Sequence, residues 1–137
     1  MNLVYETVPR LTMSRTCPIF LTLQLIAHKW SVRILHQLLH ADKNTMRFGQ
    51  LQKSLDGITQ RELTKHLREF EKAGIVERTV FPEVPPRVEY RLTKAGHSLL
   101  KPIDEISHWA ETNAAFVQRK RQEFEARAVG KPRARAA

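Results

Sequence analysis

Five donor-bearing side chains sit within nine residues of one another: Gln60, Arg61, Thr64, Lys65 and Arg68. A helix over this stretch would gather them on one side. Gln, Arg and Thr have the shape to bond to base edges in a major groove, and Lys and Arg neutralise phosphates. No acid is among them; Glu62, Glu69 and Glu71 fall off that face. A solvated helix usually mixes its signs, so this sorting points to an anionic partner. The competing reading of the face alone is an ordinary basic surface, and the flanking sequence decides between them.

The helix that must position these residues is well marked. Thr59 and Glu62 have the spacing of a capping box, with the hydroxyl taking one amide and the carboxylate the other. Gly74 suits the left-handed residue that closes a helix. Leu63, Leu67 and Phe70 fall at i, i+4 and i+7, a single buried stripe opposite the donors. Ahead of it, Phe48 to Leu55 reads as a short helix with Phe48, Leu51 and Leu55 inward. Asp56-Gly57 is a turn signal and Ile58 a buried lead-in. A short helix, a tight turn and a capped basic helix follow in the order of a helix-turn-helix.

After Gly74 the apolar period changes from 3.6 to 2. Residues 75–81 read as a strand, and Val88, Tyr90 and Leu92 mark one side of another. Between them Pro82, Pro85 and Pro86 lack amide donors and cannot sit in a paired ladder. Two strands around a stiff loop form a projecting wing. Arg87 at its base is expected to contact phosphate or the minor groove, or else to pair with Glu83 or Glu89. Lys65 and Arg68 suit phosphates, Arg68 having a surface pair with Glu71 as its alternative. Gln60, Arg61 and Thr64, nearest the helix start, suit sequence readout. Arg47 could touch backbone or fix the entry to the short helix.

The N-terminal part supplies a helix from Pro18 to about Ala27, with Ile19, Leu23 and Ile26 on one face, widened by Leu21 and Leu25. A second begins at Trp30, with Val32, Leu35, Leu38 and Leu39 as its stripe, and ends before residues 41–44. Thr45 to Arg47 could be a short extended segment. Past the wing, Thr93 caps a helix whose apolar face runs through Leu99, Leu100, Ile103, Ile106 and Trp109. Pro102 should kink or divide it, and it is expected to end near Ala115. The chain thus reads as a flexible arm over 1–16, a domain over 17–117 and a basic, disordered tail over 118–137.

With 137 residues, one domain with a sizeable core is expected. The net charge of +9 is uneven: residues 118–137 carry +5, residues 1–16 carry +1 and the body only +3. The overall charge is therefore weak support for nucleic-acid binding by the folded body, and the sorted helix face is stronger. A single cysteine excludes a disulfide framework and a Cys-rich zinc site. There is no secretory signal and no run of about eighteen apolar residues, so a reducing cytoplasm is expected and no membrane.

Enzyme chemistry finds no foothold. There is no Gly-rich phosphate loop and no nucleophile elbow, and Asp104-Glu105 are adjacent on a helix and diverge. His36 and His40, one turn apart, could share a metal, but two histidines without a third ligand favour a solvated face. No metal or cofactor is expected. Trp30 and Trp109 suit core or dimer anchors better than ligand cages.

The chain resembles the HxlR-type group of winged helix-turn-helix transcriptional regulators, relatives of the MarR family. The resemblance covers about residues 17–110. It rests on Cys17-Pro18, Lys29-Trp30, Arg47-Phe48-Gly49-Gln50-Leu51, Gly57-Ile58-Thr59-Gln60-Arg61-Glu62-Leu63-Thr64 and the Pro85-Pro86-Arg87-Val88-Glu89-Tyr90 wing. Gly74-Ile75-Val76-Glu77-Arg78 and Leu92-Thr93-Lys94-Ala95-Gly96 match as well. The implied fold is mainly α with a small β-hairpin wing, dimerising through the N- and C-terminal helices. The implied function is regulation of transcription by a homodimer on a roughly palindromic operator of double-stranded DNA. The basic helix would lie in the major groove and the wing near the minor groove.

The apolar faces of the first and last helices, larger than a small winged domain needs, agree. A two-fold dimer would set its recognition helices about 34 Å apart. Some members of the group sense oxidants or electrophiles through a cysteine placed like Cys17, which here precedes a helix N-terminus that favours a thiolate. Without a second cysteine, sensing would need pairing across the dimer, a small-thiol cap or alkylation; the alternative is a buried small residue under the dimer interface. A small-molecule effector between the dimer helices is open, though no residue declares its chemistry. Two rival functions remain: a winged module for protein assembly, and a non-specific DNA binder driven by the tail.

Overall fold

The computed structural model describes residues 17–130. The expected arm over 1–16 and the last part of the tail lie outside the described residues. The elements are α1 (Pro18–Ile26), α2 (Lys29–His40), a 3-10 turn (Asp42–Asn44), β1 (Thr45–Arg47), α3 (Phe48–Ser54), α4 (Gln60–Lys72), β2 (Val76–Phe81), β3 (Arg87–Leu92) and α5 (Lys94–Val129). The chain forms two compact units, one ending at Leu99 and one beginning at Leu100.

In the first unit the core is built from the inner faces of α2, α3 and α4, with Val76 of β2 and Tyr90 and Leu92 of β3. Ile34, Leu35 and Leu38 of α2, Leu51 of α3 and Leu63 of α4 are fully buried, and Leu67 and Phe70 nearly so. The face of α2 is turned from the expected one: Ile34 and Trp30 are buried, while Val32 and Leu39 are only half-buried. The sheet is antiparallel in the order β1-β3-β2. Its third strand is the short extended segment before α3, pairing Met46 with Tyr90. The wing hairpin pairs Val76 with Leu92 and Phe81 with Arg87.

The junction of α4, the sheet and α5 is held by polar contacts. Ile75 N–H donates to the Phe70 carbonyl at 2.9 Å, and Gly74 has φ +70°, closing α4 as its sequence requires. Thr93 Oγ1 accepts the Gly96 amide at 3.1 Å, capping α5, and its own proton faces the Gly74 and Ile75 carbonyls. A Cβ at Gly96 would run into the Ile75 carbonyl and the Leu92 side chain, so this crossing admits only glycine.

The second unit is the remainder of α5. The helix is continuous across Pro102 and does not end near Ala115; it runs to Val129. The tail expected to be disordered from residue 118 is therefore helical through Val129. The absence of an apolar period there points the wrong way. Gln, Arg, Lys, Glu and Ala are strong helix formers, and they extend a helix already nucleated. Lys120 and Arg119 reach Glu123 at 2.8 and 4.0 Å, pairs that favour the helix, and the first breaker is Gly130. Along this unit Ile106, Trp109, Phe116 and Phe124 are exposed.

Candidate nucleic-acid interface

The start of α4 is capped as the sequence predicts. Glu62 N–H donates to Thr59 Oγ1 at 3.1 Å, and Thr59 N–H donates to Glu62 Oε2 at 3.2 Å. The Thr59 backbone bond holds the Glu62 carboxyl below its ordinary range, with the Thr59 hydroxyl and Lys29 adding to it. The acid in the middle of the basic stretch is thus engaged in the cap, where the helix N-terminus favours its charge.

Opposite the buried Leu63-Leu67-Phe70 stripe, Gln60, Arg61, Thr64, Lys65 and Arg68 line one shallow groove, and at its far end Glu69, expected off this face, lines it too, together with Lys72. Arg61, Thr64, Lys65 and Gln60 are exposed there, and Arg68 is exposed beside them. Among the described residues, Arg61, Lys65 and Arg68 form no ion pair; the alternative Arg68–Glu71 pair is not made, and Glu69 pairs with Lys72 at 3.1 Å instead. Thr64 donates its hydroxyl proton to the Gln60 carbonyl at 2.8 Å. What it offers a partner is an acceptor lone pair and a methyl group, the kind of contact a thymine methyl accepts.

A second cleft of about 710 Å³ opens between the start of α4, the start of α3 and the wing. Gln60 and Thr64 line it from α4, Arg47 and Lys53 from α3 and its approach, and Arg78 from β2. Lys53 and Arg78 do not stand out in the sequence. Their signal is there in part: the register sets Arg78 opposite Tyr90, but which side of the sheet faces α4 is a long-range fact. Arg47 fixes the entry to α3, its backbone N–H donating to Gln50 Oε1 at 3.2 Å, and the residue also lines the cleft.

Arg87 stands differently from the other cations. Its guanidinium lies 4.0 Å from the Phe81 ring centre, 3.2 Å from Glu83 and, through Nε, 3.6 Å from Glu89. Nε has no hydrogen-bond partner. The cross-strand pairing of Phe81 with Arg87 puts the cation over the ring, so the side chain braces the wing, and the pairing alternative is the one realised. Cys17 precedes Pro18 as expected and is buried; its carbonyl accepts the Phe20 and Leu21 amides.

A capped helix with an unpaired cationic face, mounted behind a tight turn and flanked by a three-stranded wing, defines a winged helix-turn-helix DNA-binding domain. Comparison with known proteins gives the family. Residues 25–118 match the model of the HxlR-like helix-turn-helix family. The HTH-type transcriptional regulator YdeP of Bacillus subtilis (strain 168), itself uncharacterised, is 41% identical over 95 residues, 69% of this chain and 72% of its own. A MarR-family transcriptional regulator from Enterococcus faecalis V583 superposes with a TM-score of 0.63 at 41% identity, covering 85% of this chain and 99% of that one. The redox regulator HypR in its reduced form gives 0.64 at 36%, covering 74% and 97%. The chain belongs to the HxlR-like family of helix-turn-helix transcriptional regulators. No helix among the described residues is long and apolar enough to cross a membrane.

Proposed function

We propose that the chain acts in the cytoplasm as a homodimer on a two-fold symmetric operator. Gln60, Arg61 and Thr64 read base edges, while Lys65 and Arg68 hold phosphates. The observation that carries this reading is the state of charge on α4. Arg61, Lys65 and Arg68 have no ion-pair partners among the described residues, while Glu62 is engaged in the cap and Glu69 is neutralised by Lys72 on the same helix. Arg47, Lys53 and Arg78 extend the same positive surface toward the wing. Arg87 reaches DNA only by exchanging Glu83 and Glu89 for a phosphate. Its first role is to hold the wing.

Dimerisation is supported by the exposure of Ile19, Phe20, Leu21 and Leu23 on α1, an apolar helix with no buried residue. Such a face needs cover. Selection of bound duplexes from random DNA tests the reading. A symmetric motif with half-sites about one helical turn apart is expected; an enrichment without symmetry or sequence preference would overturn it.

The likeness to HypR favours a second element, oxidation at Cys17. Two Cys17 thiols from two copies would each give up a proton and an electron to a two-electron oxidant such as diamide, and a disulfide would form between them. Because Cys17 is buried, the start of α1 must open first. Non-reducing electrophoresis after diamide should show a covalent dimer that Cys17→Ser abolishes. A thiol that stays unmodified in the folded protein would remove this element and leave the DNA-binding reading intact.

A further inference from the structure

We propose that His36 and His40 form a bidentate site for a divalent late first-row transition ion on the outer face of α2. The two residues lie one turn apart in the last turns of the helix, and both are exposed. Their Nε2 atoms are 3.1 Å apart and their rings meet edge to face, with centres 4.3 Å apart and planes at 62°. Two lone pairs this close cannot simply face each other. One ring must hold a proton on Nε2 and donate it to the other.

An ion satisfies both at once. With metal–nitrogen bonds of about 2.0–2.1 Å, a separation of 3.1 Å gives a nitrogen–metal–nitrogen angle of about 95–102°. That lies between the right angle of an octahedral site and the wider tetrahedral one, so the bite suits either geometry. The ring that carried its proton on Nε2 carries it on Nδ1 instead. Both Nε2 lone pairs are then available to the ion.

The frame is fixed from behind. Ile34, Leu35 and Leu38 of the same helix are fully buried, and Asn44 donates to the Leu39 carbonyl at 2.7 Å and to that of Leu38 at 3.4 Å, tying down the helix end. The partial negative charge of a helix C-terminus also favours a cation there. Neither imidazole has another hydrogen-bond partner among the described residues. No third protein ligand joins them among those residues, so water completes the coordination. The ligands are imidazoles, so copper(II) should bind more tightly than nickel(II) or zinc(II). A bound ion cross-links one turn of α2 and stabilises the fold by mass action.

Calorimetric titration of the full chain with zinc, nickel and copper chlorides, with circular dichroism to confirm folding, tests the site. One ion per chain is expected, with copper tightest. His36→Gln or His40→Gln should each weaken binding about a hundredfold, because the second imidazole acts as an intramolecular ligand. Cys17→Ser and His97→Gln should leave it unchanged. No saturable uptake below about a millimolar would overturn the site. So would a His36→Gln/His40→Gln double variant that binds as the natural chain does.

Discussion

Two helices of this protein carry basic faces, and they are mounted in opposite ways. On α4 the cations stand over a stripe that is almost wholly buried, with Leu63, Leu67 and Phe70 at 0, 1 and 1% exposure. On the last turns of α5 the apolar residues are themselves exposed, Phe124 among them. The charges differ as well. Arg61, Lys65 and Arg68 of α4 have no carboxylate partner among the described residues, whereas Arg119 and Lys120 both reach Glu123. A seated helix with free cations can hold its side chains in register with base edges. A helix whose apolar residues are exposed and whose cations are partly paired, Arg119 and Lys120 with Glu123 but not Arg121 or Arg127 among the described residues, can add attraction but little discrimination. Net charge alone would rank the two the other way, since the C-terminal segment holds more than half of the excess.

Removing the seat of α4 should erase the contrast most completely. Phe70→Ala should cost about 3–5 kcal/mol of stability through the cavity it leaves. Urea denaturation should show the loss, and DNA binding should fail with it. Deleting residues 118–137 should act differently. The fold of the first unit should persist and binding should weaken alike on every sequence. The salt slope should fall by about one for each phosphate that the segment no longer neutralises. Loss of all binding would instead make the α5 end the principal DNA-binding element and favour the tail-driven rival.

A smaller effect sharpens how α4 is seated. His66 on its inner flank stacks against His28 at 4.5 Å and lies 3.5 Å from Ser31 Oγ. Burial, then the nearby His28 and Lys65, lowers its pKa from the ordinary value of 6.5. The unfolded chain therefore takes up the proton first as pH falls. The contribution of His66 is complete above about 6.5 and is lost as pH drops from there toward the folded value. The urea midpoint should fall between about pH 7.5 and 5.5, and His66→Gln should flatten that fall.

What was legible in the sequence was what local chemistry decides. The capping box at Thr59 and Glu62, the stripe of α4 and the proline-stiffened wing each rest on residues within a few positions of one another. The pairing of β1 with β3 was not legible, because Met46 and Tyr90 meet only through the tertiary fold. The brace of Arg87 over Phe81 needed the hairpin register. The last turns of α5 mislead for another reason. Their helicity comes from residue propensity and ion pairs rather than an apolar period, and a search for period finds neither. The donor face of α4 is visible in the sequence; that its cations are unpaired is not.

The most direct test of α4 as the reading element is the base preference of the natural chain beside that of Arg61→Ala, Lys65→Ala and Arg68→Ala, each measured by selection from random duplexes. Arg61→Ala should relax the motif at one position in each half-site, a loss of about 1–3 kcal/mol of discrimination. The two phosphate variants should bind more weakly with the motif unchanged. An Arg61→Ala protein that selects the same motif as the natural chain would contradict the assignment of α4 as the element that reads sequence.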